Sequence, residues 1–269
     1  MSTITRRGTL AAATGLAAFG LVPGARANQL DAILRAGRIR IATDLAIPPF
    51  GMVDSQMRPT GSDVDVAQAL ARDLGVQMEF VQTVGATRIP NLQTDKADII
   101  ISTLSVTPER ARVIQFSKPY AALASVIGGR RDVAVSSLQT LRGRTVATVR
   151  GTTQDTELTP IASEHGFRIN RYDDDATLIT AAVSGQAELV ATSATSVGQI
   201  ALRAPARGFE VKFTLRNFDL AIGLRQGETQ LLERVNAWID ANIANGRLNE
   251  IYKRFHGVDL PEAMRGRPA

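Results

Sequence analysis

The 269-residue sequence contains no cysteine, which excludes disulfide bonds and thiolate metal sites. Histidine occurs only twice and no Ser-His-acid pattern is visible, so nucleophilic catalysis has little support. Aromatic residues make up 5% of the chain, too few to provide the stacking surfaces on which single-stranded nucleic acids bind. Ordinary burial of apolar side chains must therefore hold the fold together, and the chain is long enough for two modest cores.

Long apolar runs are missing as well. The run Leu10–Val22 has about 13 residues, whereas a membrane-spanning helix needs about 20. It follows Arg6 and Arg7 and precedes Ala25-Arg26-Ala27, a small-x-small cleavage site. We therefore predict that residues 1–27 are a signal peptide and that the mature chain is periplasmic. The paired arginines favour the twin-arginine export route over the general secretory route.

A strong excess of one charge is also missing once this segment is removed. The whole chain has a formal net charge of +5, but the first 27 residues contain three arginines and no acid, which leaves about +2. The remaining basic residues are scattered along the sequence rather than grouped in a stripe. We expect no nucleic-acid partner, and we expect no metal ion or other cofactor.

Short β-branched runs alternate with helical patterns after residue 27, which predicts an α/β protein with parallel sheets flanked by helices. The predicted strands cover residues 39–42, 78–81, 99–102, 125–128, 145–149, 168–172, 189–192 and 221–224. The predicted helices cover residues 63–74, 108–113, 155–165, 175–184 and 228–245. The last helix has an apolar stripe at helical spacing, which should pack on a sheet.

Two segments are predicted to cross between lobes, near residues 117–124 and near residues 213–219. Pro119 lies in the first crossing and is expected to interrupt a helix or strand there. The chain would then leave one lobe and return to it. The first lobe would comprise residues 28–120 and 218–269, and the second lobe residues 121–217.

The segment from residue 102 to residue 110 combines hydroxyl groups with an arginine. A predicted strand end runs into a helix start that is signalled by Thr107 as N-cap and Pro108 at the first helical position. Arg110 then lies in the first turn, where its guanidinium suits a carboxylate because it can donate two parallel hydrogen bonds. The alternative is a solvent-exposed ion pair with Glu109.

A second candidate segment is the predicted strand that breaks at Gly151, followed by a helix start after Thr152 and Thr153. Unpaired N–H groups at the positive end of a helix dipole form an anion site. The segment lacks the Gly-x-x-x-x-Gly-Lys-Ser/Thr pattern of a nucleotide phosphate loop, so a carboxylate is favoured. The alternative is an ordinary capped helix start.

A third segment is the first predicted strand, which ends in Asp44 before a loop stiffened by Pro48 and Pro49. In open parallel sheets, ligands bind beyond the carboxyl ends of the strands. Asp44, Thr103 and Gly151 all lie at such ends, so we expect them to share one site.

Together these segments resemble the solute-binding proteins of polar amino-acid ABC uptake systems. The matching stretches are residues 37–44 with 49–50, 61–66, 97–103 with 107–111, 116–120, 150–153, 235–239 and 245–252. The likeness follows the family's order over nearly the whole chain after residue 27. It implies a type II periplasmic-binding-protein fold, with two α/β lobes joined by a two-segment hinge. It also implies a monomer that captures an amino acid or related carboxylate and delivers it to a membrane permease.

The resemblance assigns a carboxylate site and an amine site. Arg110 resembles the arginine that binds the ligand α-carboxylate, assisted by Ser105, by Gly151 and by the hydroxyl and N–H groups of Thr152 and Thr153. Thr103 and the carbonyl of Ser102 resemble the groups with which the family binds the ligand α-amino group.

The resemblance also assigns a side-chain pocket. Asp44 and Ile47 occupy positions that line it. Arg88 is similar to an arginine that reaches a side-chain carboxylate in binders of acidic amino acids, and its alternative is a surface arginine.

One position departs from the family pattern. Relatives commonly carry an aspartate near the position of Ser193. We retain Ser193 as a predicted ligand-binding residue. A buried ammonium without a partner costs several kcal/mol. The amine would therefore need one of four other acids, or the ligand lacks an α-amino group. These acids are Asp44, Asp174, Asp175 and Asp219.

Two other classes of protein remain as alternatives. An exported lyase of the cyclohexadienyl dehydratase type resembles this family and would need a carboxylic acid in the cleft as general acid. Asp174, Asp175 and Glu157 are candidates, but none lies in a catalytic motif, so we expect a binding protein and not an enzyme. A ligand-sensing module would need a membrane span to transmit its signal, and no later segment has the required apolar length.

Overall fold

The computed structural model describes residues 28–266, and the predicted signal peptide, residues 1–27, lies outside the described residues. The helices of the described chain are α1 Gln29–Ala36, α2 Ser62–Asp73, α3 Arg88–Gln93, α4 Pro108–Ala111, α5 Thr153–His165, α6 Asp175–Ser184, α7 Ala194–Arg203, α8 Thr229–Ala244, α9 Arg247–His256 and α10 Glu262–Arg265. The strands are β1 Arg38–Thr43, β2 Met52–Val53, β3 Pro59–Thr60, β4 Gln77–Gln82, β5 Ile99–Ile100, β6 Gln115–Arg130, β7 Thr145–Val149, β8 Arg168–Tyr172, β9 Leu189–Ser193 and β10 Phe209–Leu224.

Eight of these strands form one sheet in the order β4-β1-β5-β10-β6-β9-β7-β8, and β2 pairs with β3 separately. The pairs β1–β4, β1–β5, β7–β8 and β7–β9 are parallel, as the alternating pattern predicts. Strands β6 and β10 are antiparallel to each other and to their outer neighbours. The predicted parallel pairing therefore holds within each lobe, and two antiparallel strands carry the chain out and back through the centre of the sheet.

Strands β6 and β10 each contain 16 residues and pair along their whole length. Pro119 does not interrupt β6, contrary to our expectation. It pairs with Ala221 between two shifts in register, and a proline is tolerated at such a bulge because its missing N–H breaks no regular ladder bond. Both predicted crossings lie inside these strands, where Leu123 pairs with Phe218.

The two central strands connect two groups of elements that have separate cores. We call β4, β1 and β5 with their helices the first lobe, and β9, β7 and β8 with α5–α7 the second lobe. Alternate residues of a strand enter cores on opposite faces of the sheet, as the two-residue period requires. Ile41 and Ala42 do so in the first lobe, and Val146 and Ala147 in the second. Both faces of each lobe are therefore covered by helices.

The predicted C-terminal helix is present as α8. Its stripe of Leu231, Val235, Trp238 and Ile239 is buried in the first-lobe core, as the spacing predicts. Helices α1, α3, α7, α9 and α10 are not predicted by the pattern. Each has ten residues or fewer, and short helices depend on tertiary packing because they are marginal in isolation. Every helix of residues 28–266 is too short or too polar to cross a membrane.

Helix starts place the polar residues of the second lobe at one edge of its sheet. Helices α5, α6 and α7 begin directly after β7, β8 and β9. Their N-caps are Thr152, Asp174 and Ser193, and the side chain of each accepts a hydrogen bond from a first-turn N–H group. In the first lobe, Thr107 caps α4 in the same way, with Pro108 at the first helical position.

Candidate functional site

A cleft between the lobes contains about 420 Å³ of empty space, part of it open to solvent. The predicted site residues that line it are Ile47, Arg88, Thr103, Ser105, Arg110, Thr152, Thr153 and Ser193. Asp44, Ser102 and Gly151 do not line it but bond to residues around it. Asp175, an alternative partner for the ligand amine in the sequence analysis, also lines it, and the lining residues that sequence reasoning does not include are Leu123, Val149, Gln154, Ala191 and Thr192.

Arg110 carries an uncompensated positive charge into this cleft. Its Nη1 donates to the carbonyl of Ser105 at 3.1 Å, and its Nη2 donates to the carbonyl of Gly151 at 3.3 Å. Burial, and then the positive charge of Arg88, lowers the pKa of Arg110 to about 10, and no carboxylate of residues 28–266 opposes the shift. The alternative of an ion pair with Glu109 is therefore wrong. The guanidinium stays charged at neutral pH and is available to an anion.

Arg88, in contrast, has a built-in partner. It is 4% exposed, so the alternative of a surface arginine is wrong, and its Nη2 donates to Asp44 Oδ2 at 3.0 Å. Asp44 Oδ1 accepts from the N–H of Ala46 at 2.9 Å, and the N–H of Asp44 donates to Ser102 Oγ at 3.0 Å. Asp44 therefore neutralises Arg88 from behind the cleft instead of lining it. The Nε of Arg88 is buried and has no hydrogen-bond partner in the described chain.

Thr103 is held in an unusual backbone conformation. Its φ of +43° lies in the left-handed region, which non-glycine residues occupy mainly at functional sites. Its N–H donates to Asp63 Oδ2 at 2.7 Å, and Tyr120 donates to Asp63 Oδ1 at 2.8 Å. Burial raises the pKa of Asp63 to about 6 although both hydrogen bonds lower it. Among the described residues nothing bonds to the buried Thr103 Oγ1, which lies at the cleft wall.

The start of α5 forms the facing wall. The N–H of Gly151 donates to Asp155 Oδ2 at 3.1 Å, so the expected free amide at Gly151 is not available to a ligand. Thr152 Oγ1 donates to the carbonyl of Val149 and accepts from the N–H of Asp155, which caps the helix. The first-turn N–H groups of Thr153 and Gln154 have no helical acceptor by geometry. Free N–H groups at a helix N-terminus are suited to binding an anion.

The two lobes touch through main chain beside this wall. A Cβ on Gly151, whose φ is +74°, would lie 2.8 Å from Ala86 Cα of the first lobe. A Cβ on Gly85 would lie 2.8 Å from the carbonyl oxygen of Arg150. Such close approach requires glycine on both sides. Together with the Arg110–Gly151 hydrogen bond, these contacts define a closed arrangement of the lobes.

Ser193 and Asp175 differ in what they can offer a ligand. Ser193 Oγ accepts from the N–H of Ser196 at 3.0 Å and bonds to the hydroxyls of Thr195 and Ser196. Asp175 is 5% exposed, and its Oδ2 has no hydrogen-bond partner in the described chain. Burial raises the pKa of Asp175 to about 7. In the sequence, Asp174-Asp175 at the start of a predicted helix is the signal that points to Asp175.

A two-lobed α/β protein whose interlobe cleft holds a buried, unpaired guanidinium opposite a helix N-terminus is built as a solute-binding protein. The family model for bacterial extracellular solute-binding proteins, family 3, matches residues 39–258. The chain belongs to this family.

Relatives of known name agree with this membership. The chain is 27% identical over 235 residues to the histidine-binding periplasmic protein of Escherichia coli, covering 82% of this chain and 88% of that protein. It is 26% identical over 236 residues to the L-arginine-binding protein of Pseudomonas aeruginosa, covering 82% and 89%. An ancestral amino acid-binding protein, described as a precursor of cyclohexadienyl dehydratase, has a crystal structure with a TM-score of 0.75, 31% identity, and coverage of 84% and 98%.

These findings confirm the resemblance and the type II fold with two lobes. They also favour a binding protein over an enzyme, because the named relatives are binding proteins. The family is extracellular and the histidine-binding relative is periplasmic, which confirms the expected periplasmic location.

Proposed function

We propose that the protein is the periplasmic substrate-binding component of an ABC uptake transporter and binds an amino acid or a related small carboxylate. The observation that carries this proposal is the buried guanidinium of Arg110, which faces the cleft without a carboxylate partner in the described chain. The names of the relatives, which bind histidine, arginine or glutamine, support a ligand of this class.

In the proposed mechanism, the ligand carboxylate first binds to Arg110 on the first lobe. Bending within β6 and β10 then brings the N–H groups at the start of α5 onto the same carboxylate. Closure removes water from the ion pair and strengthens it. We place the lobe boundaries as the sequence predicts, with residues 28–120 and 218–269 in one lobe and residues 121–217 in the other. A permease would recognise the closed surface formed by both lobes.

The proposal includes export and oligomeric state. We propose that residues 1–27 are removed as a signal peptide of the twin-arginine type and that the mature protein is a monomer. The pair Arg6-Arg7 before a modest apolar run supports this route. Replacing both arginines by lysine should abolish export of a fused reporter by the twin-arginine route, and continued export would assign the segment to the general secretory route.

Ligand binding by the purified protein tests the proposal directly. A ligand present at 100 times its dissociation constant should raise the free energy of unfolding by about 2.7 kcal/mol, visible as a higher melting temperature. The probes are L-histidine, L-arginine, L-glutamine and simple carboxylates, and each ligand that binds is retested as its methyl ester. We expect the ester to bind poorly, because it cannot form the ion pair with Arg110. Equal binding of acid and ester, or no binding of any acid, would contradict the proposal.

Asp175 favours a second candidate function, since a carboxyl group with a pKa near 7 in a cleft is suited to general-acid catalysis. A lyase of the cyclohexadienyl dehydratase type would use it in this way. We expect no product when the protein is incubated with prephenate or arogenate, because the named relatives are binding proteins, and formation of product would favour the lyase.

A further inference from the structure

The cleft contains one acid among the described residues that line it, and that acid is Asp175. Its side chain is nearly fully buried, and its Oδ2 makes no hydrogen bond within residues 28–266. A carboxylate oxygen in this state is costly, because burial without a partner loses the hydrogen bonds that water provides. The arrangement is favourable only when something else supplies a donor to this oxygen.

The charges of the cleft are separated along its length. Arg110 follows β5 and faces the start of α5, which follows β7, so these groups form a positive carboxylate end. Asp175 begins α6, which follows β8, the edge strand of the second lobe. Adjacent strands lie about 4.8 Å apart, so Asp175 is displaced outward from the carboxylate end by roughly one strand spacing.

The electrostatic neighbours of Asp175 place it at the same far end of the cleft. The charges that act on it belong to Asp44, Arg88 and Asp174, and Arg110 is not among them. Arg88 follows β4, the edge strand of the first lobe, and is already neutralised by Asp44. When Asp175 is ionised, the far end, defined as Asp175, Arg88 and Asp44, has an excess negative charge, whereas the carboxylate end has an excess positive charge.

Ser193 cannot provide a second negative site. It ends β9, on the hinge side of the second lobe, and its hydroxyl is occupied by the cap of α7 and by neighbouring hydroxyls. The remaining lining residues near it, Ala191 and Thr192, are uncharged. Among the described residues that line the cleft, none on the hinge side therefore offers a counter-charge to an ammonium group beside the ligand carboxylate.

From these positions we infer that Asp175 binds a cationic nitrogen at the end of the ligand remote from its carboxylate, so that the preferred ligands are carboxylates with a distal ammonium or guanidinium group. The inference rests on the proposed function, because it takes Arg110 as the site of the carboxylate. It goes beyond that function because it names Asp175 as a ligand-binding residue and narrows the ligand class to carboxylates with a distal cation.

Four probes that share a five-carbon acid chain separate a distal cation from an α-ammonium group. They are 5-aminopentanoate and 5-guanidinopentanoate with a distal cation, 2-aminopentanoate with an α-ammonium, and pentanoate with neither. We expect the two distal probes to bind the wild-type protein at least about tenfold more tightly than the other two, as measured by titration calorimetry. Asp175→Asn keeps the shape of the side chain and should remove this preference, so that the distal probes bind this variant with affinities within about threefold of that of pentanoate.

Asp173→Asn is the matched control. It removes the same charge two positions earlier in the chain, from a side chain that is 89% exposed. We expect it to change none of the four affinities by more than about twofold, because solvent screens an exposed charge. An equal effect of both variants would assign the result to general electrostatics and overturn the inference.

The other outcomes are also decisive. Tighter binding of 2-aminopentanoate than of 5-aminopentanoate, or an unchanged preference in Asp175→Asn, overturns the inference but leaves the proposed function intact, since the carboxylates still bind. If no probe and no amino acid binds, the proposed function fails and the inference fails with it. Circular dichroism of both variants verifies that they fold.

Discussion

The two walls of the cleft are built differently. On the first lobe, the Arg88 guanidinium and the Thr103 N–H have partners within the protein, because Arg88 bonds to Asp44 and the backbone of Thr103 bonds to Asp63, whereas Arg110 has no carboxylate partner in the described chain. On the second lobe, the first-turn amides of α5 and Asp175 Oδ2 have no such partners in the described chain. The difference indicates that part of the first-lobe wall is held by bonds within the protein, whereas these groups of the second-lobe wall are completed by the ligand.

The largest effect is expected where the first-lobe wall is broken. Arg88→Met leaves Asp44 as a buried charge without a partner and should lower the free energy of unfolding by about 3–5 kcal/mol. The double variant with Asp44→Asn should recover much of this loss. Urea unfolding of the ligand-free protein measures both.

The pair Arg38–Glu79 provides the control for this prediction, since both side chains are largely exposed. Arg38→Met should change the free energy of unfolding by at most about 1 kcal/mol. An equal loss of unfolding free energy in Arg88→Met and Arg38→Met would show that the buried Arg88–Asp44 pair stabilises the first-lobe wall no more than an exposed pair does.

Arg110 should affect ligand affinity more than stability. Arg110→Ala removes one member of the proposed buried charge pair and should weaken ligand binding by about 2–5 kcal/mol. Its positive charge has no carboxylate partner in the ligand-free chain that the structure describes, so unfolding should change little. Calorimetric titration and urea unfolding, with the exposed Arg112→Ala as control, measure this split. A loss of affinity below about tenfold would remove Arg110 from the carboxylate site.

Asp175 should make the ligand-free protein less stable as the pH rises. Burial, and then the negative charges of Asp44 and Asp174, raise its pKa from the ordinary value of 3.8 to about 7 in the folded protein, although Arg88 lowers it. The folded state therefore keeps a proton that the unfolded state releases, so stability falls from about pH 4 to pH 7. Asp175→Asn should raise the free energy of unfolding at pH 8 by about 1–3 kcal/mol.

Urea unfolding at pH 5 and pH 8 tests this prediction. Asp63, whose pKa is also raised, leaves a residual slope in both proteins. The wild type should lose more stability than Asp175→Asn between the two pH values, and Asp173→Asn should follow the wild type. Parallel profiles of the free energy of unfolding against pH for all three proteins would show that ionisation of Asp175 does not destabilise the folded protein.

The smallest effect is expected at the contact between the walls. Gly151→Ala places a Cβ against Ala86 of the opposite lobe and should weaken ligand binding by about tenfold, because closure is hindered. Gly143→Ala has a similar φ of +75° but open space around it. Both variants share the backbone strain of a left-handed residue, so only the clash differs. Equal ligand affinities of Gly151→Ala and Gly143→Ala would show that closure does not depend on the close approach of Gly151 to Ala86.

Local patterns in the sequence predict much of the architecture and part of the site. Seven of the eight predicted strand segments lie in strands of the main sheet, and the eighth, 99–102, shares only residues 99–100 with β5. The hydroxyl-rich helix starts at Thr107 and Thr152 are present because capping depends on adjacent residues only. The same patterns misjudge Pro119, since its tolerance depends on a bulge formed with a distant strand.

The sequence by itself therefore determined the alternation of strands and helices, the capped helix starts and the presence of arginines beside them, because these depend on neighbours within a few residues. Only the tertiary structure decided which charges meet. Asp44 is paired with Arg88, which lies 44 positions later, while Arg110 and Asp175 form no ion pair with any described residue. Ion pairing depends on distances across the cleft, and these are fixed by packing between elements that are remote in the chain.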